Sequence, residues 1–185
     1  MEKNLEKQSN RSFKIVVFGP ESTGKTTLAK QLSAHYNAVY VPEYARIYAE
    51  AKQQKGETLT SEDVLPIAKG QLRLECKASG NPILICDTDI LETLTYARIY
   101  YPKFESETLK KYVLKNNANL YFLTYIDVPW KADGIRDLPN KRETAFLEFQ
   151  ATLKNYNQPY MLLTGNPMVR FQKAVTAIDK LLENY

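Results

Sequence analysis

Five short apolar segments alternate along the chain with longer segments of helical periodicity. The first, at residues 13–18, reads FKIVVF and is rich in β-branched and aromatic side chains, as in a parallel strand buried on both faces. Beyond the glycines that follow it, apolar side chains recur at helical spacing, at Leu28, Leu32 and Tyr36. The same change from strand to helix is repeated through the sequence.

The other strands are predicted at residues 37–41, 82–86, 119–126 and 159–163. Helices are predicted at residues 43–56, 61–79, 89–101 and 105–115, with another ending near residue 156 and a last one opening at Pro167. Strands that alternate with helices predict an α/β fold of the P-loop NTPase type, with a doubly wound, mainly parallel five-stranded sheet flanked by helices.

The composition is that of one soluble globular domain. Hydrophobic residues make up 44% of the 185 residues and charged residues 25%. We assign residues 13–185 to this domain and expect residues 1–12 to form a disordered tail. A net charge of +4, spread along the chain, does not favour a nucleic-acid partner. The sequence leaves open whether the chain forms a homo-oligomer.

The sequence contains no apolar run near the ~20 residues that span a bilayer and no secretory signal, so a membrane partner is not expected. Its two cysteines, Cys76 and Cys86, form no metal-binding motif. These features predict a cytoplasmic protein.

The sequence GPESTGKT at residues 19–26 fits the phosphate-binding pattern G-x-x-x-x-G-K-[ST]. Its glycines let the backbone N–H groups face a phosphate, Lys25 reaches the β- and γ-phosphates, and the Thr26 hydroxyl ligates Mg²⁺. The strand before it and the helix after it favour this interpretation over a glycine turn that caps a helix. The predicted ATP-binding residues here are Gly19, Pro20, Glu21, Ser22, Thr23, Gly24, Lys25, Thr26 and Thr27.

Acidic residues follow two of the other strands, where ligands bind in open α/β sheets. Asp87 is the predicted metal-side acid, beside Thr26. Asp89 is either a substrate contact or the N-cap of the next helix. Glu43 either holds the acceptor hydroxyl and takes its proton, or is a first-turn acid of its own helix. Arg46 pairs with Glu43 or contacts an anion.

A polar stretch at residues 129–143 separates the fourth strand from the next helix and predicts a small lid. Arg136 is its best candidate for neutralising charge on the transferred phosphoryl group, beside the flexible Asp133. Arg142 is predicted to contact ATP. Trp130 stacks on a flat ring or anchors the loop. The alternative for the whole stretch is a solvated loop.

The loop after the fifth strand contains Thr164 and Asn166, which are predicted to border the adenine pocket or simply to start a helix. Residues 140–143 read NKRE and approach the guanine-reading N-K-x-D pattern of GTPases. They precede a predicted helix and do not end a strand, so a GTPase is a weaker alternative.

The chain resembles the ribosylnicotinamide kinase domain of the bacterial NadR proteins, which are grouped with AAA-type ATPases. The matching segments are GPESTGKTTL, PEYAR, ICDTDILET and WKADGIRDLPNKR. The resemblance implies ATP- and Mg²⁺-dependent phosphorylation of the ribose 5′-hydroxyl of nicotinamide riboside. It also implies that Glu43 and Asp89 face the nucleoside and that Arg136 belongs to the lid. The full set of predicted substrate contacts is Glu43, Tyr44, Arg46, Asp89, Trp130 and Asp133.

The sequence departs from the NadR pattern in two respects. Its single histidine, His35, does not allow the H-x-G-H motif of the adenylyltransferase domain, so we expect at most the kinase part of such a protein. Pro42 stands before E-Y-x-R, where an aromatic residue is expected, which leaves the nucleoside open. The alternatives are a kinase for another nucleoside and an ATP-binding switch module without an acceptor.

Overall fold

The computed structural model describes residues 12–130 and 141–183. The strands are β1 (Phe13–Phe18), β2 (Val39–Val41), β3 (Ile83–Asp87), β4 (Leu120–Thr124) and β5 (Tyr160–Leu163). The helices are α1 (Lys25–Tyr36), α2 (Tyr44–Gln53), α3 (Val64–Ala78), α4 (Ile90–Tyr100), α5 (Glu107–Lys115), α6 (Arg142–Asn155) and α7 (Pro167–Leu182).

The five strands form one sheet in the order β2-β3-β1-β4-β5, and every neighbouring pair is parallel. The predicted doubly wound sheet is therefore confirmed. Because β1 pairs with β3 on one side and β4 on the other, the chain changes direction of winding at β1. Ligands bind at such a switch point, beyond the carboxyl ends of the strands.

Both faces of the sheet are covered by helices, which explains why the central strands are apolar without interruption. Val16 and Phe18 of β1 belong to a core cluster with α3, α4 and α6. Ile15 and Val17 point to the other face and pack with α1 and α7. Alternate side chains of one strand thus enter two cores. Each aliphatic side chain that is fully buried stabilises the fold by roughly 1.5–3 kcal/mol.

Some predicted boundaries differ from the observed ones because local hydrogen bonds replace the regular helical pattern. A 3-10 turn, Ser61–Asp63, precedes the third helix, and Thr60 caps the start of this turn in a capping box with Asp63. The helix predicted to end at Gly56 ends at Gln53, although Gly56 does have the expected positive φ, 74°. Apart from Ser12, the predicted tail lies outside the described residues.

No helix in the described parts of the chain combines the length and apolar character needed to cross a membrane.

Candidate functional site

The phosphate-binding motif connects β1 to α1 and takes backbone conformations that suit glycine. Gly19 and Gly24 have φ angles of 143° and 83°. A Cβ atom on Gly19 would collide with Thr124 of β4, so this position requires glycine. Thr23 fixes the loop from inside, because its hydroxyl donates to Pro20 O at 2.8 Å and lies 2.7 Å from the Thr124 hydroxyl. The turn is therefore anchored to the central strands.

A cavity of about 490 Å³ lies against this loop, and we call it the phosphate-loop cavity. Its walls come from residues 21–28, from Glu43 and Arg46 at the start of α2, and from Arg170 of α7. The first N–H groups of a helix have no partner within the helix, so α1 directs its positive end toward this cavity, where it favours an anion. This is the arrangement that the sequence predicted for a triphosphate.

Lys25 occupies the centre of the site. It is buried, its Nζ donates to Pro20 O at 2.9 Å, and it lies 3.4 Å from Glu92 Oε1 of α4. A lysine ammonium has three donors, and bound phosphate oxygens would share them with these two partners. The sequence did not predict the pairing with Glu92.

Asp87, at the end of β3, lies beside Thr26, as predicted for the metal side of the site. Its Oδ2 accepts from the Tyr40 hydroxyl at 3.0 Å, and Oδ1 is buried with no donor in hydrogen-bonding geometry among the described residues. Burial raises the pKa of the Asp87 carboxyl above its ordinary value. The neighbouring Thr26 hydroxyl and the charge of Lys25 oppose this effect but do not cancel it. One hydroxyl and one carboxylate oxygen fit Mg²⁺, which takes its other ligands from water and phosphates.

Glu43 lies directly before α2, with only 6% of its surface exposed. Its Oε2 is 3.8 Å from Arg46 Nε, so the predicted pairing of these residues is confirmed. The Glu43 side chain makes no capping hydrogen bond to α2. Both residues line the phosphate-loop cavity, so the Glu43 carboxylate borders the space in which we expect the phosphates to bind.

Arg170 joins the phosphate loop to the segments that follow β4 and β5. Its guanidinium donates to Thr23 O at 2.6 Å and to Tyr125 O at 2.8 Å, and it pairs with Asp127. Asp127 in turn accepts from the backbone N–H of Gly165 at 2.6 Å. One buried arginine therefore holds three segments together: the phosphate loop, the end of β4 and the loop after β5.

We expect Arg170→Met to lower the free energy of unfolding by about 2 kcal/mol, since three backbone or carboxylate acceptors lose a charged donor at once. For a chain of this size the melting temperature should fall by roughly 5 °C. Thermal unfolding followed by circular dichroism measures the change. The control is Arg73→Met, at an exposed position of α3. Equal melting temperatures for the two variants would contradict the proposed role of Arg170.

Asp89 is the N-cap of α4, which confirms one of the two interpretations of this residue. Its carboxylate accepts from Leu91 N at 3.0 Å, from Asn116 at 2.6 Å and from the Tyr121 hydroxyl at 2.5 Å. Lys14 Nζ is 3.6 Å away, and only 1% of Asp89 is exposed. The carboxylate makes its hydrogen bonds with buried groups of the protein, and its position does not support the predicted contact with a nucleoside.

The residues predicted to border adenine are engaged in local contacts. Thr164 accepts two hydrogen bonds from Lys173, at 3.1 Å and 3.0 Å. Asn166 caps α7 by accepting from Val169 N at 3.0 Å, so the helix-start interpretation is confirmed for it. Arg142, the first residue of α6, donates to Val128 O at 3.0 Å. The contacts of Thr164 and Asn166 with adenine and of Arg142 with ATP stay predictions.

The predicted lid falls mostly outside the described residues. Arg136 and Asp133 both lie there, so their assigned roles stay predictions. Trp130 is half-buried, next to Pro129 of the phosphate-loop cavity. Tyr44 packs its ring against Gly70 of α3, where a Cβ atom would not fit. A contact of Tyr44 with substrate therefore also stays a prediction.

A second cavity, of about 460 Å³, lies between α2, α3 and α4, and we call it the tyrosine cavity. Tyr96, Tyr100 and Tyr101 contribute aromatic surface to it, and Glu92 contributes a carboxylate. The cavity is next to the first one, because Ala45 faces the second cavity while the adjacent Arg46 faces the first. Glu92 also links them, since it pairs with Lys25.

Sequence reasoning missed several residues that shape this site: Tyr40, Glu92, Thr124 and Arg170. Glu92 did leave a signal, because it is an acid inside an apolar segment, between Leu91 and Leu94, that a helix must bury. Arg170 left none, because its partners, two backbone carbonyls and the Asp127 carboxylate, lie in distant segments.

Comparison with known proteins finds the AAA domain family over residues 14–170. Two similar relatives are the trifunctional NAD biosynthesis/regulator proteins NadR of Escherichia coli K12 and Salmonella typhimurium LT2, each 28% identical over 127 residues. In both cases the match covers 67% of this chain and 31% of the relative, so this chain corresponds to about a third of their length.

Among solved structures, a NadR protein in complex with NR superimposes with a TM-score of 0.80 at 26% identity, covering 91% of this chain and 51% of that one. A NadR protein in complex with NAD and AMP-PNP gives 0.76, also at 26% identity, covering 91% and 49%. A deoxyadenosine kinase from M. mycoides with bound dATP, 13% identical, shares the fold with a TM-score of 0.67 over 90% of this chain and 99% of that one.

The fold is thus that of P-loop nucleoside and nucleotide kinases, as the sequence predicted. The family match covers more than half of the chain and includes the phosphate loop, Glu43, Asp87 and Arg170. This chain therefore belongs to the AAA domain family.

Proposed function

We propose that this chain is an ATP-dependent nucleoside kinase that phosphorylates the ribose 5′-hydroxyl of nicotinamide riboside and forms nicotinamide mononucleotide. The observation that carries the proposal is the pair of adjacent cavities, one lined by the phosphate loop and one by three tyrosines, which the ion pair of Lys25 and Glu92 connects. The similarity to a NadR protein in complex with NR, with a TM-score of 0.80, supports this acceptor.

In this proposal the phosphate loop and the start of α1 hold the triphosphate, and Lys25 stabilises the charge of the transferred phosphoryl group. Thr26 and Asp87 hold Mg²⁺, which neutralises charge on the phosphates when bound. Glu43 orients the acceptor hydroxyl. As the new oxygen–phosphorus bond forms and the bond to ADP breaks, the hydroxyl proton passes to the Glu43 carboxylate and then to solvent.

The lining of the tyrosine cavity favours a nucleoside over a nucleoside monophosphate. A monophosphate requires cationic side chains or exposed N–H groups for its phosphate. The described residues that line this cavity include no lysine or arginine, but they do include Glu57 and Glu92. A neutral or cationic ligand suits this wall, and the ring of nicotinamide riboside carries a positive charge that tyrosines attract.

The proposal is tested by incubating the protein with ATP, Mg²⁺ and single nucleosides in a coupled assay for ADP, with the product identified by mass spectrometry. We expect ADP and nicotinamide mononucleotide in equal amounts, and slower turnover with adenosine, cytidine and uridine. Equal ATP turnover with and without any nucleoside would favour the switch module instead. Efficient phosphorylation of another nucleoside only would keep the kinase and change its acceptor.

A further inference from the structure

Glu92 lies between the two cavities, at the start of a helix that is anchored in the interior. It lies in the first turn of α4, and only 2% of it is exposed. The N-cap of that helix, Asp89, is fixed by Leu91 N, Asn116 and Tyr121. A carboxylate on such a support keeps its position when a ligand enters, which is what a residue that selects a ligand requires.

The carboxylate of Glu92 and the phosphates of ATP both interact with Lys25. In the structure, Lys25 Nζ lies 3.4 Å from Glu92 Oε1 and donates to Pro20 O. Phosphate oxygens that bind in the phosphate-loop cavity take donors from the same ammonium. A buried carboxylate is stable only while hydrogen-bond donors or cations compensate its charge. When ATP is bound, an additional donor that reaches Glu92 from the tyrosine cavity therefore contributes more to the stability of the buried carboxylate.

A donor on the ligand itself suits this position. An ionised carboxylate only accepts hydrogen bonds, and no lysine or arginine is among the described residues that line the tyrosine cavity. A ribose offers hydroxyl donors at its 2′ and 3′ positions besides the reacting 5′-hydroxyl. Glu43 lines the phosphate-loop cavity, whereas Glu92 lines the tyrosine cavity, so the two acids face different parts of one acceptor.

We propose that Glu92 accepts a hydrogen bond from a ring hydroxyl of the acceptor's ribose and thereby makes the enzyme select ribonucleosides over deoxyribonucleosides. The inference rests on the proposed kinase function. A deoxy analogue leaves the carboxylate without this donor, and a site built around a hydrogen bond rejects ligands that lack it. The discrimination should be roughly 100-fold in kcat/KM.

The experiment measures kcat/KM for nicotinamide riboside and for its 2′-deoxy and 3′-deoxy analogues, with wild-type protein and with Glu92→Gln. Wild type should prefer the riboside over at least one analogue by about 100-fold, and Glu92→Gln, whose neutral side chain accepts a weaker hydrogen bond than a carboxylate does, should reduce that preference to about 10-fold. The control is Glu50→Gln, an exposed acid on α2 that lines neither cavity, which should keep the wild-type preference.

A second variant distinguishes a change in ligand preference from the effect of a folding defect. Glu92→Asp keeps the charge near Lys25 but withdraws it by one methylene, so it should fold as wild type does and show an intermediate preference. Calorimetric binding of each acceptor in the presence of AMP-PNP should follow the same order. An unchanged preference in folded Glu92→Gln, or no preference in wild type, would overturn the role of Glu92.

Failure of the proposed acceptor has a different signature. If nicotinamide riboside is not phosphorylated while another ribonucleoside is, the acceptor is wrong, and the same comparison with the deoxy forms of that nucleoside tests Glu92. If no nucleoside is phosphorylated and none binds, both the proposed function and this inference fail.

Discussion

Replacing Lys25 with methionine should lower the rate of phosphoryl transfer by on the order of 10³-fold, the largest effect that we expect from a single substitution. Methionine keeps most of the length and volume of lysine but provides no charge and no donor. Negative charge that develops on the transferred phosphoryl group then lacks its closest cation. Single-turnover rates at saturating ATP and nucleoside measure this step directly.

The loss must be separated from a loss of stability, because Lys25 also pairs with the buried Glu92. Lys25→Arg provides that separation. It keeps the positive charge beside Glu92, so its melting temperature should remain closer to that of wild type than the melting temperature of Lys25→Met does. Its planar guanidinium does not reproduce the compact ammonium between the phosphates, and the rate should remain low.

Lys69→Ala, at an exposed position of α3, is the control for general effects of removing a lysine. It should change neither the transfer rate nor the melting temperature appreciably. A rate within a few fold of wild type for folded Lys25→Met would be incompatible with a P-loop kinase mechanism at this site.

The features that the sequence predicts best arise from local physics. The apolar run at Phe13–Phe18 predicts a strand buried on both faces, and in the structure all its residues are buried. The glycines and Lys25 predict the phosphate loop because the backbone conformation and the chemistry occur in one continuous segment. Asp87 follows from topology, since strand ends in a parallel sheet converge.

The features that the sequence does not predict depend on contacts between distant segments. Arg170 looks like any cation of an amphipathic helix until the fold brings Thr23 and Tyr125 to it. The sequence around Asp89 resembles the NadR pattern, yet only the tertiary structure shows that Asn116 and Tyr121 surround its carboxylate. A role read from spacing alone cannot distinguish an acid that faces a ligand from one that faces the interior.

Glu43→Gln should lower kcat by roughly 10²-fold or more while the KM for ATP changes little. Glutamine has nearly the same shape and still accepts a hydrogen bond, but it cannot take the proton of the acceptor hydroxyl. The substitution therefore removes one chemical capacity and leaves the contact with Arg46 largely in place. Steady-state kinetics with each substrate varied in turn separates the effects on kcat and KM.

The same variant decides between the two roles that the sequence allows for Glu43. An acid that only stabilises the start of α2 would, on neutralisation, lower the melting temperature and leave kcat nearly unchanged. A carboxylate that acts on the acceptor would show the reverse, and the structure favours this outcome because Glu43 makes no capping hydrogen bond and lines the phosphate-loop cavity. Glu50→Gln, on the exposed side of the same helix, shows how much either quantity changes when an acid is neutralised outside the site. A kcat for Glu43→Gln that matches this control would exclude Glu43 as the base and leave Asp87 and Glu92, two buried carboxylates whose charges interact with Lys25, as the remaining candidates among the described residues.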